Sequence, residues 1–147
     1  MVRTLHDWWT SNCTAAGLPD RGAFDVFVHK DLMPNLLISD VEPEPFRIRY
    51  RLVGTKIVRN LGVEFTGRYL DEFLGTDHPM PWMDYYRTSY HERRPVLGEA
   101  TEATATGGTF TYEFGIFPLA RGGDGAVKQF FALEDYFDFE LTSGSLL

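Results

Sequence analysis

The strongest constraint on the fold lies in residues 46–67, FRIRYRLVGTKIVRNLGVEFTG. Large apolar residues alternate there with arginines, and the apolar ones are Phe46, Ile48, Tyr50 and Leu52. This period-2 pattern is typical of a strand with one buried face and one wet face. Gly54 ends the strand, the hydroxyl of Thr55 can cap a following helix, and Gly62 can end that helix. The stretch therefore predicts a strand that turns directly into a short helix.

Further elements are predicted on both sides of this stretch. A compact apolar run predicts a strand over residues 35–41, and the Glu-Pro-Glu-Pro segment after it predicts a hairpin connection. A longer helix is predicted over residues 82–94, because the residue before Pro95 is pushed out of the helical region. Three more strands are predicted over 96–106, 109–120 and 127–136, with a bulge at Gly115 or Pro118 in the second of them.

These elements suggest one globular domain overall. A chain of 147 residues can bury a single core without disulfide staples. We divide it into an N-terminal helix and connector over 1–34, a sheet domain over 35–137 and a C-terminal tail over 138–147.

The N-terminal helix is predicted over residues 4–16, with Leu5, Trp8 and Trp9 on one face. Two tryptophans on a terminal helix need cover, which either the chain's own sheet or a second subunit can provide. We therefore treat these three residues as a candidate dimer contact, with packing on the chain's own sheet as the alternative.

Charge and composition exclude several classes of partner. Fourteen basic and twenty-one acidic residues give a net charge of -7, which argues against a nucleic-acid partner. The one cysteine, Cys13, excludes an internal disulfide and a multi-cysteine metal site. No run approaches the roughly 18 apolar residues of a membrane span, and the N-terminus lacks the apolar core of a signal peptide. We expect a cytoplasmic protein without a membrane partner.

No catalytic constellation stands out. Pro95 occupies the position where a helical zinc motif beginning at His91-Glu92 would need its second histidine. Glu134 and Asp135 are adjacent on a predicted strand, so they point to opposite faces and do not form an acid-base pair. The sequence therefore predicts no enzyme activity, no catalytic residue and no metal site.

Aromatic residues make up 15% of the chain, and they concentrate on the inward faces of predicted elements. Rings with polar tips can form either a filled core or the wall of a small-molecule pocket. Arg51 and Arg68 can pin helices to the sheet or hold a ligand carboxylate bidentately. The candidate pocket residues are Tyr50, Arg51, Trp82, Tyr86, Tyr90, Tyr112 and Phe114.

Three short motifs resemble a known family. They are Leu18-Pro19-x-Arg21-x-x-Phe24-Asp25, Tyr50-Arg51-Leu52-Val53-Gly54-Thr55 and Gly62-x-Glu64-x-Thr66-Gly67-Arg68. Together with the order of elements, they resemble the PAS domain, and more narrowly a stand-alone bacterial PAS-like family. The resemblance implies an α+β fold, a five-stranded antiparallel sheet with helices packed on one face and an N-terminal helix.

The resemblance also bears on ligands. PAS domains bind haem, flavin or small metabolites, or bind nothing and serve as dimerisation modules. The light-sensing flavin branch needs a cysteine in the helix after the second strand, and there is none near Leu61. Haem sensors need an axial ligand, for which only His78 and His91 are placed. We therefore leave the cofactor open and expect neither haem nor flavin.

The leading hypothesis is a non-enzymatic PAS-like sensory module, a homodimer, that binds a small and partly apolar molecule. One alternative is an interaction module without a ligand. Another is a small cone-fold enzyme, which would need a buried Asp or Glu with a raised pKa inside the ring-lined cavity.

Overall fold

The computed structural model describes residues 1–75, 77–103 and 107–136. The predicted tail over 138–147 and the last residues of the strand predicted over 96–106 lie outside the described residues. Helices α1–α4 are Val2–Ser11, Thr55–Leu61, Leu70–Phe73 and Trp82–Glu92, and strands β1–β5 are Leu36–Pro43, Phe46–Val53, Val96–Ala103, Thr109–Ala120 and Val127–Asp135. Two short 3-10 helices, Arg21–Ala23 and Lys30–Asn35, precede β1.

The strands form one antiparallel sheet in the order β2-β1-β5-β4-β3. The predicted fold class, a five-stranded antiparallel sheet with helices packed on one face and an additional N-terminal helix, is confirmed. The first and last strands pair at the centre, where Leu37 of β1 lies opposite Ala132 of β5. On the other side of β5, Glu134 lies opposite Phe114 of β4. This central position of β5 places its side chains in the middle of both faces.

Helices cover both faces of this sheet. On β5, the ring of Phe130 packs against Tyr86 of α4, with 5.1 Å between ring centroids. The next residue, Phe131, packs against Trp8 of α1 at 5.9 Å. Because successive side chains of a strand point to opposite faces, α4 and α1 lie on opposite sides of the sheet. We call the α4 side the inner face and the α1 side the outer face.

The candidate dimer residues lie on the outer face, inside the chain's own core. Leu5 is fully buried, and Trp8 and Trp9 are each 9% exposed. The indole Nε1 of Trp9 donates a hydrogen bond to the carbonyl oxygen of Pro118 at 2.7 Å. Of the two alternatives, packing on the chain's own sheet is the one observed, because these side chains have almost no surface left for a second subunit.

Helix α1 is shorter than predicted, since it ends at Ser11 rather than near residue 16. The side-chain amide and the backbone N–H of Asn12 both donate to the carbonyl oxygen of Trp8, at 2.8 and 3.1 Å, and so close the end of the helix. Cys13 therefore lies beyond the helix, with an exposed side chain.

The turn from β2 into α2 depends on Gly54. A Cβ atom at this position would lie 2.3 Å from the carbonyl oxygen of Pro34, so a side chain does not fit. The prediction that Thr55 caps α2 is wrong, because Thr55 is already helical and no side chain caps this end. The prediction for Gly62 is confirmed: it follows the helix with φ 72° in the left-handed region.

Strand β2 follows its predicted alternation over most of its length. Ile48 and Tyr50 are buried, whereas Arg51 is exposed. The register with β1 then shifts by one residue, so that Val53 rather than Leu52 is buried at the end of the strand. One residue of β2 therefore has no partner on β1. This is a β-bulge, and it exchanges the two faces of the strand beyond it. On β4 the shift lies between Leu119 and Ala120 instead of at Gly115 or Pro118.

Candidate functional site

A cavity of about 540 Å³ lies between the inner face of the sheet and helices α2–α4. We call it the inner cavity. Ligand pockets of roughly 300–1,000 Å³ hold drug-sized molecules, so this volume accommodates a ligand of that size. Its wall combines residues from the sheet and from the helical side, and includes Leu37, Tyr50, Phe65, Arg68, Leu70, Phe73, His78, Trp82, Tyr86, Glu102, Tyr112, Phe114, Ile116, Ala132 and Glu134.

Five of the seven candidate pocket residues lie in this wall, namely Tyr50, Trp82, Tyr86, Tyr112 and Phe114. The other two lie elsewhere. Tyr90 is one turn beyond Tyr86 on α4, where it packs edge-on against Phe46 with ring centroids 5.4 Å apart. Arg51 points to the outer side of β2, where its Nε donates to a carboxylate oxygen of Asp40. Arg51 therefore ties β2 to β1 and does not reach the inner cavity.

Ring contacts hold much of the wall in place. Phe114 contacts the edge of Trp82 at 4.9 Å and stacks on Tyr85 at 5.3 Å between centroids. Elsewhere in the wall, Phe65 packs against Tyr50 at 5.0 Å and against Phe73 at 4.7 Å. Aromatic pairs at these separations prefer such edge-on and offset geometries. The wall is therefore apolar and presents ring faces and edges to the cavity.

Two buried hydroxyls face each other between the sheet and α4. The hydroxyl oxygens of Tyr50 and Tyr86 lie 3.4 Å apart. Burial raises the pKa of Tyr86 to about 12, and burial, with Tyr86 close by, raises that of Tyr50 well above its usual value. Both phenols are therefore neutral near pH 7 and are able to donate and accept hydrogen bonds.

Glu134 is a residue of the cavity wall that the sequence analysis did not select. It is only partly exposed, and that surface faces the inner cavity. Burial raises the pKa of its carboxyl to about 7, and the nearby Glu102 acts in the same direction. The hydroxyl of Tyr136 donates to Glu134 Oε2 and partly offsets this increase.

The signal for Glu134 was present in the sequence. Glu134 and Asp135 do point to opposite faces, as predicted. Asp135 forms an ion pair with the amino group of Met1 at 2.9 Å. However, Glu134 shares its parity on β5 with Phe130 and Ala132 and therefore belongs to the inner face. Because the two carboxyls were considered only as an acid-base pair, the inward orientation of Glu134 alone was overlooked.

A second carboxyl, Glu102 on β3, enters the cavity wall beside Glu134. The hydroxyl of Tyr112 donates to Glu102 Oε1 at 3.2 Å. His78 Nε2 lies 3.3 Å from Glu102 Oε2. The other ring nitrogen, Nδ1, lies 3.1 Å from the backbone nitrogen of Met80 and 3.3 Å from its carbonyl oxygen. The contact between His78 and Glu102 links the loop before α4 to the edge strand.

The phenols next to the two carboxyls are held neutral. Burial, followed by the charge of Glu134, raises the pKa of both Tyr112 and Tyr136 far above the usual value for tyrosine. A phenol cannot ionise beside a carboxylate in a poorly solvated site without a large cost. Tyr112 and Tyr136 therefore act as hydrogen-bond donors to Glu102 and Glu134.

Arg68 is the arginine of the cavity wall, and it lies at the exposed side. Its guanidinium carbon is 5.4 Å from the ring centroid of Phe73, a cation–π contact. The backbone carbonyl of Arg68 accepts from the N–H of Tyr50 at 3.0 Å, which ties this segment to β2. Of the two arginines singled out in the sequence, Arg68 therefore reaches the cavity and Arg51 does not.

No protein-family model matches the sequence, and no curated protein matches it either. Solved structures do match the fold. A light-oxygen-voltage (LOV) domain studied with a flavin analogue aligns over 82% of this chain and 87% of that chain, with a TM-score of 0.56 and 18% identity. The Aureochrome1 LOV domain in its light state aligns over 82% and 91%, with a TM-score of 0.53 and 16% identity.

A LOV protein of Rhodobacter sphaeroides also aligns, over 84% of this chain and 73% of that one, with a TM-score of 0.52 and 15% identity. This is a PAS fold. LOV domains are a PAS subfamily, and the sequence-based resemblance is supported at that level. The narrower stand-alone family is matched by no family model.

The expectation that flavin is not a ligand is contradicted by these neighbours, because they are LOV domains and one of them is described with a flavin analogue. That expectation rested on the missing cysteine after β2. A thiol is a reaction partner for a bound ring, whereas binding itself depends on the shape and polarity of a cavity. The expectation concerning haem stays a prediction.

The cone-fold enzyme alternative requires a different fold from the one observed, since the sheet has the strand order of a PAS fold. The residue type it required is nevertheless present, because Glu134 is a carboxyl with a raised pKa in a ring-lined cavity. Within residues 1–75, 77–103 and 107–136, no group of three or more His, Cys, Asp or Glu side chains is placed to hold a metal ion. Nor is any helix in these ranges long and apolar enough to cross a membrane.

Proposed function

We propose that this chain is a non-enzymatic PAS-type sensory module that binds a small, partly apolar, ring-containing ligand in the inner cavity. The observation that carries this proposal is the cavity of about 540 Å³ with rings on both the sheet side and the helical side. An apolar wall with a few convergent polar groups is the usual composition of a small-molecule site.

A flavin is compatible with this wall. Phe114, Trp82, Phe65 and Phe73 are the rings that would pack against it, and it would supply visible absorbance and redox chemistry to the site. Cys13, the chain's single cysteine, lies on the surface after α1 and is not part of the cavity wall. A flavin bound here would therefore be held by packing and hydrogen bonds, without a thiol beside it.

Absorption spectroscopy and thermal shift test the proposal. The spectrum of the purified protein reports any co-purified flavin, and riboflavin is then titrated into protein without colour. A ligand at 100 times its Kd adds about 2.7 kcal/mol of stability, which corresponds to an increase in Tm of roughly 5–10 °C.

A cavity-filling variant separates the cavity from other surfaces. Ala132→Phe places a ring inside the inner cavity and should abolish the shift, whereas Ala126→Phe adds the same ring on the exposed β4–β5 loop and should leave it intact. Val63→Trp, at the exposed side of the cavity, serves as a second blocking variant if the first folds poorly. If the blocking variants bind as well as the unmodified chain, the inner cavity is not the site.

An interaction module is the second candidate function, and one surface feature favours it. Phe27 and Val28, in the segment before the 3-10 helix Lys30–Asn35, are 87% and 72% exposed. We infer that a homodimer, if formed, uses this pair instead of the buried Trp8 and Trp9, with a second copy of the chain as the occupant. Phe27→Asp with Val28→Ser should convert such a dimer to a monomer in light scattering. Light scattering that gives a monomeric mass for the unmodified chain argues against this function.

A further inference from the structure

The wall of the inner cavity contains three carboxyl side chains, Glu72, Glu102 and Glu134, against one arginine, Arg68, and one histidine, His78. Glu102 lies close enough to Glu134 to help raise the pKa of that carboxyl, and the one ion-pair contact of His78 is with Glu102. Among the described residues, no Lys, Arg or His forms an ion pair with Glu134. The remaining positions, 76, 104–106 and 137–147, contain no Lys, Arg or His in the sequence. The chain therefore supplies no cation for this carboxyl.

Aromatic rings surround the same carboxyls. Phe114 lies directly opposite Glu134 across the β4–β5 ladder. The rings of Tyr112 and Tyr136 pack with centroids 5.0 Å apart, and their hydroxyls donate to Glu102 and Glu134. The negative face of an aromatic ring attracts an ammonium or similar cation within about 6 Å of its centroid. Carboxylates and ring faces are thus two independent features that favour the same ligand charge.

The polar groups at this end of the cavity do not resemble a site for an inorganic ion. Tyr112 and Tyr136 already occupy one oxygen of each carboxyl, and His78 lies 3.3 Å from the other oxygen of Glu102. Apart from Arg68 and Glu72, the rest of the wall is mainly rings and aliphatic side chains. The volume of about 540 Å³ is also far larger than one ion needs. A charged group attached to an apolar body satisfies both the acidic end and the ring-lined remainder.

We propose that the ligand of the inner cavity is an organic cation, an ammonium whose nitrogen lies against Glu134 and Glu102 and whose apolar body packs among the surrounding rings. This inference rests on the proposed function and names the ligand class of that site. A charged nitrogen supplies the counter-charge that the chain itself does not give to Glu134. Hydrogen bonds between ionised partners are about twice as strong as neutral ones, so the charge contributes strongly to affinity.

Two matched probes test the proposal. Tryptamine and tryptophol share the indole ring and the two-carbon tail, and differ in an ammonium against a hydroxyl. Binding is measured by calorimetry at pH 8, where the amine is charged, since amines of this type titrate near pH 10. We expect tryptamine to bind at least about tenfold more tightly than tryptophol. Equal affinities, or tighter binding of tryptophol, would overturn the inference.

Glu134→Gln is the decisive variant, because it keeps the shape of the side chain and removes its charge. The preference for tryptamine should fall to about threefold or less, while the affinity for tryptophol stays within about twofold. Glu102→Gln should reduce the preference as well, and serves as the second variant if Glu134→Gln folds poorly. The matched control is Glu99→Gln, an exposed residue on the outer side of β3, which should retain the full preference. A preference that persists in Glu134→Gln and Glu102→Gln refutes the assignment.

Riboflavin, a neutral ring ligand, distinguishes a failure of the cation assignment from a failure of the proposed function. If riboflavin or tryptophol binds and tryptamine binds no more tightly, the cavity is a ligand site but the cation class is wrong. If none of the three binds and the purified protein has no co-purified ligand, the proposed function fails and the inference fails with it. Magnesium chloride, used as an inorganic probe, should produce no thermal shift. A magnesium shift that Glu134→Gln abolishes would assign the carboxyls to a metal ion and overturn the proposal.

Discussion

The two faces of the sheet are built from the same alternating strands, yet one is filled and the other encloses a cavity. On the outer face, a single amphipathic helix of 10 residues places Leu5, Trp8 and Trp9 directly on the strands. On the inner face, three helices of 7, 4 and 11 residues are joined by loops. Short helices connected by loops leave space between them, so that rings such as Tyr50 and Phe114 line a cavity of about 540 Å³.

The comparison shows that a high aromatic content does not determine whether a face is a core or a pocket. Phe131 on the outer face and Phe130 on the inner face are neighbours on β5, and both are fully buried. Their environments differ in what lies above them, an indole of α1 in one case and the border of the inner cavity in the other. The elements that cover each face therefore decide whether its rings form a filled layer or line a cavity.

The largest expected difference between the faces is in the cost of removing a tryptophan. Trp9→Ala should lower the free energy of unfolding by about 3–5 kcal/mol, because it leaves a void in a filled layer and removes the hydrogen bond to Pro118. Trp82→Ala should cost about 1–2 kcal/mol, because Trp82 is partly exposed and borders space that already exists. Urea denaturation measures both. Equal losses would mean that the inner face is packed as tightly as the outer one.

The next effect in size is a pH dependence that belongs to the inner face. The folded-state pKa of Glu134, about 7, is above the usual 4.5, so the folded state holds a proton that the unfolded state releases. Its contribution to stability is therefore fully present below about pH 4.5 and is lost as the pH rises through 7, by roughly 3 kcal/mol.

Glu134→Gln isolates this contribution. Urea denaturation at several pH values between 5 and 8 should show a flatter dependence for Glu134→Gln than for the unmodified chain. The outer-face control Glu99→Gln should keep the original slope. The other titratable groups around this carboxyl are Glu102, His78, Tyr50, Tyr86, Tyr112 and Tyr136. Of these, the four phenols stay protonated across this range. A slope that survives in Glu134→Gln would contradict the assignment of the pH dependence to this carboxyl.

The smallest expected effect concerns Arg51 on the outer side of β2. Its ion pair with Asp40 is half exposed, and exposed pairs contribute about 0.2–1 kcal/mol, so Arg51→Ala should change stability by no more than that. It should also leave ligand affinity unchanged. Arg47→Ala is the matched comparison, because Arg47 binds Asp71 of α3 through two nitrogens at 2.8 and 3.0 Å and also covers the ring of Tyr69. If Arg51→Ala weakens ligand binding more than Arg47→Ala does, the inner cavity is not the whole site.

Local features were predictable from the sequence, and non-local ones were not. The alternation through Ile48 and Tyr50 and the left-handed Gly62 follow from residue types over a few positions, and the structure confirms them. The bulge that exchanges Leu52 and Val53 was missed, because register depends on pairing with β1. The cap assigned to Thr55 was wrong, because the cap position is Gly54 and Thr55 is the first residue of the helix. A residue with a side chain does not fit at position 54, because the backbone of Pro34 lies too close.

The candidate site divides in the same way. Tyr50, Trp82, Tyr86, Tyr112 and Phe114 could be chosen from the sequence, since a ring on the inward parity of a strand or helix points to the interior wherever the interior lies. Arg51 was wrongly chosen as a pocket residue because it is next to the buried Tyr50 in the sequence. Adjacent residues of a strand point to opposite faces, so Arg51 lies on the face away from the cavity.

The sequence determined which side chains of each strand and helix point inward, because the periods of 2 and 3.6 are properties of the backbone over a few residues. The meeting of Glu134 on β5 with Glu102 on β3, beside Tyr112 and Tyr136, depends on the antiparallel order β5-β4-β3. The charge state of Glu134 depends further on burial by segments that are distant in the chain. Desolvation is a property of the whole surrounding volume, so it arises only once the sheet and its covering helices are assembled.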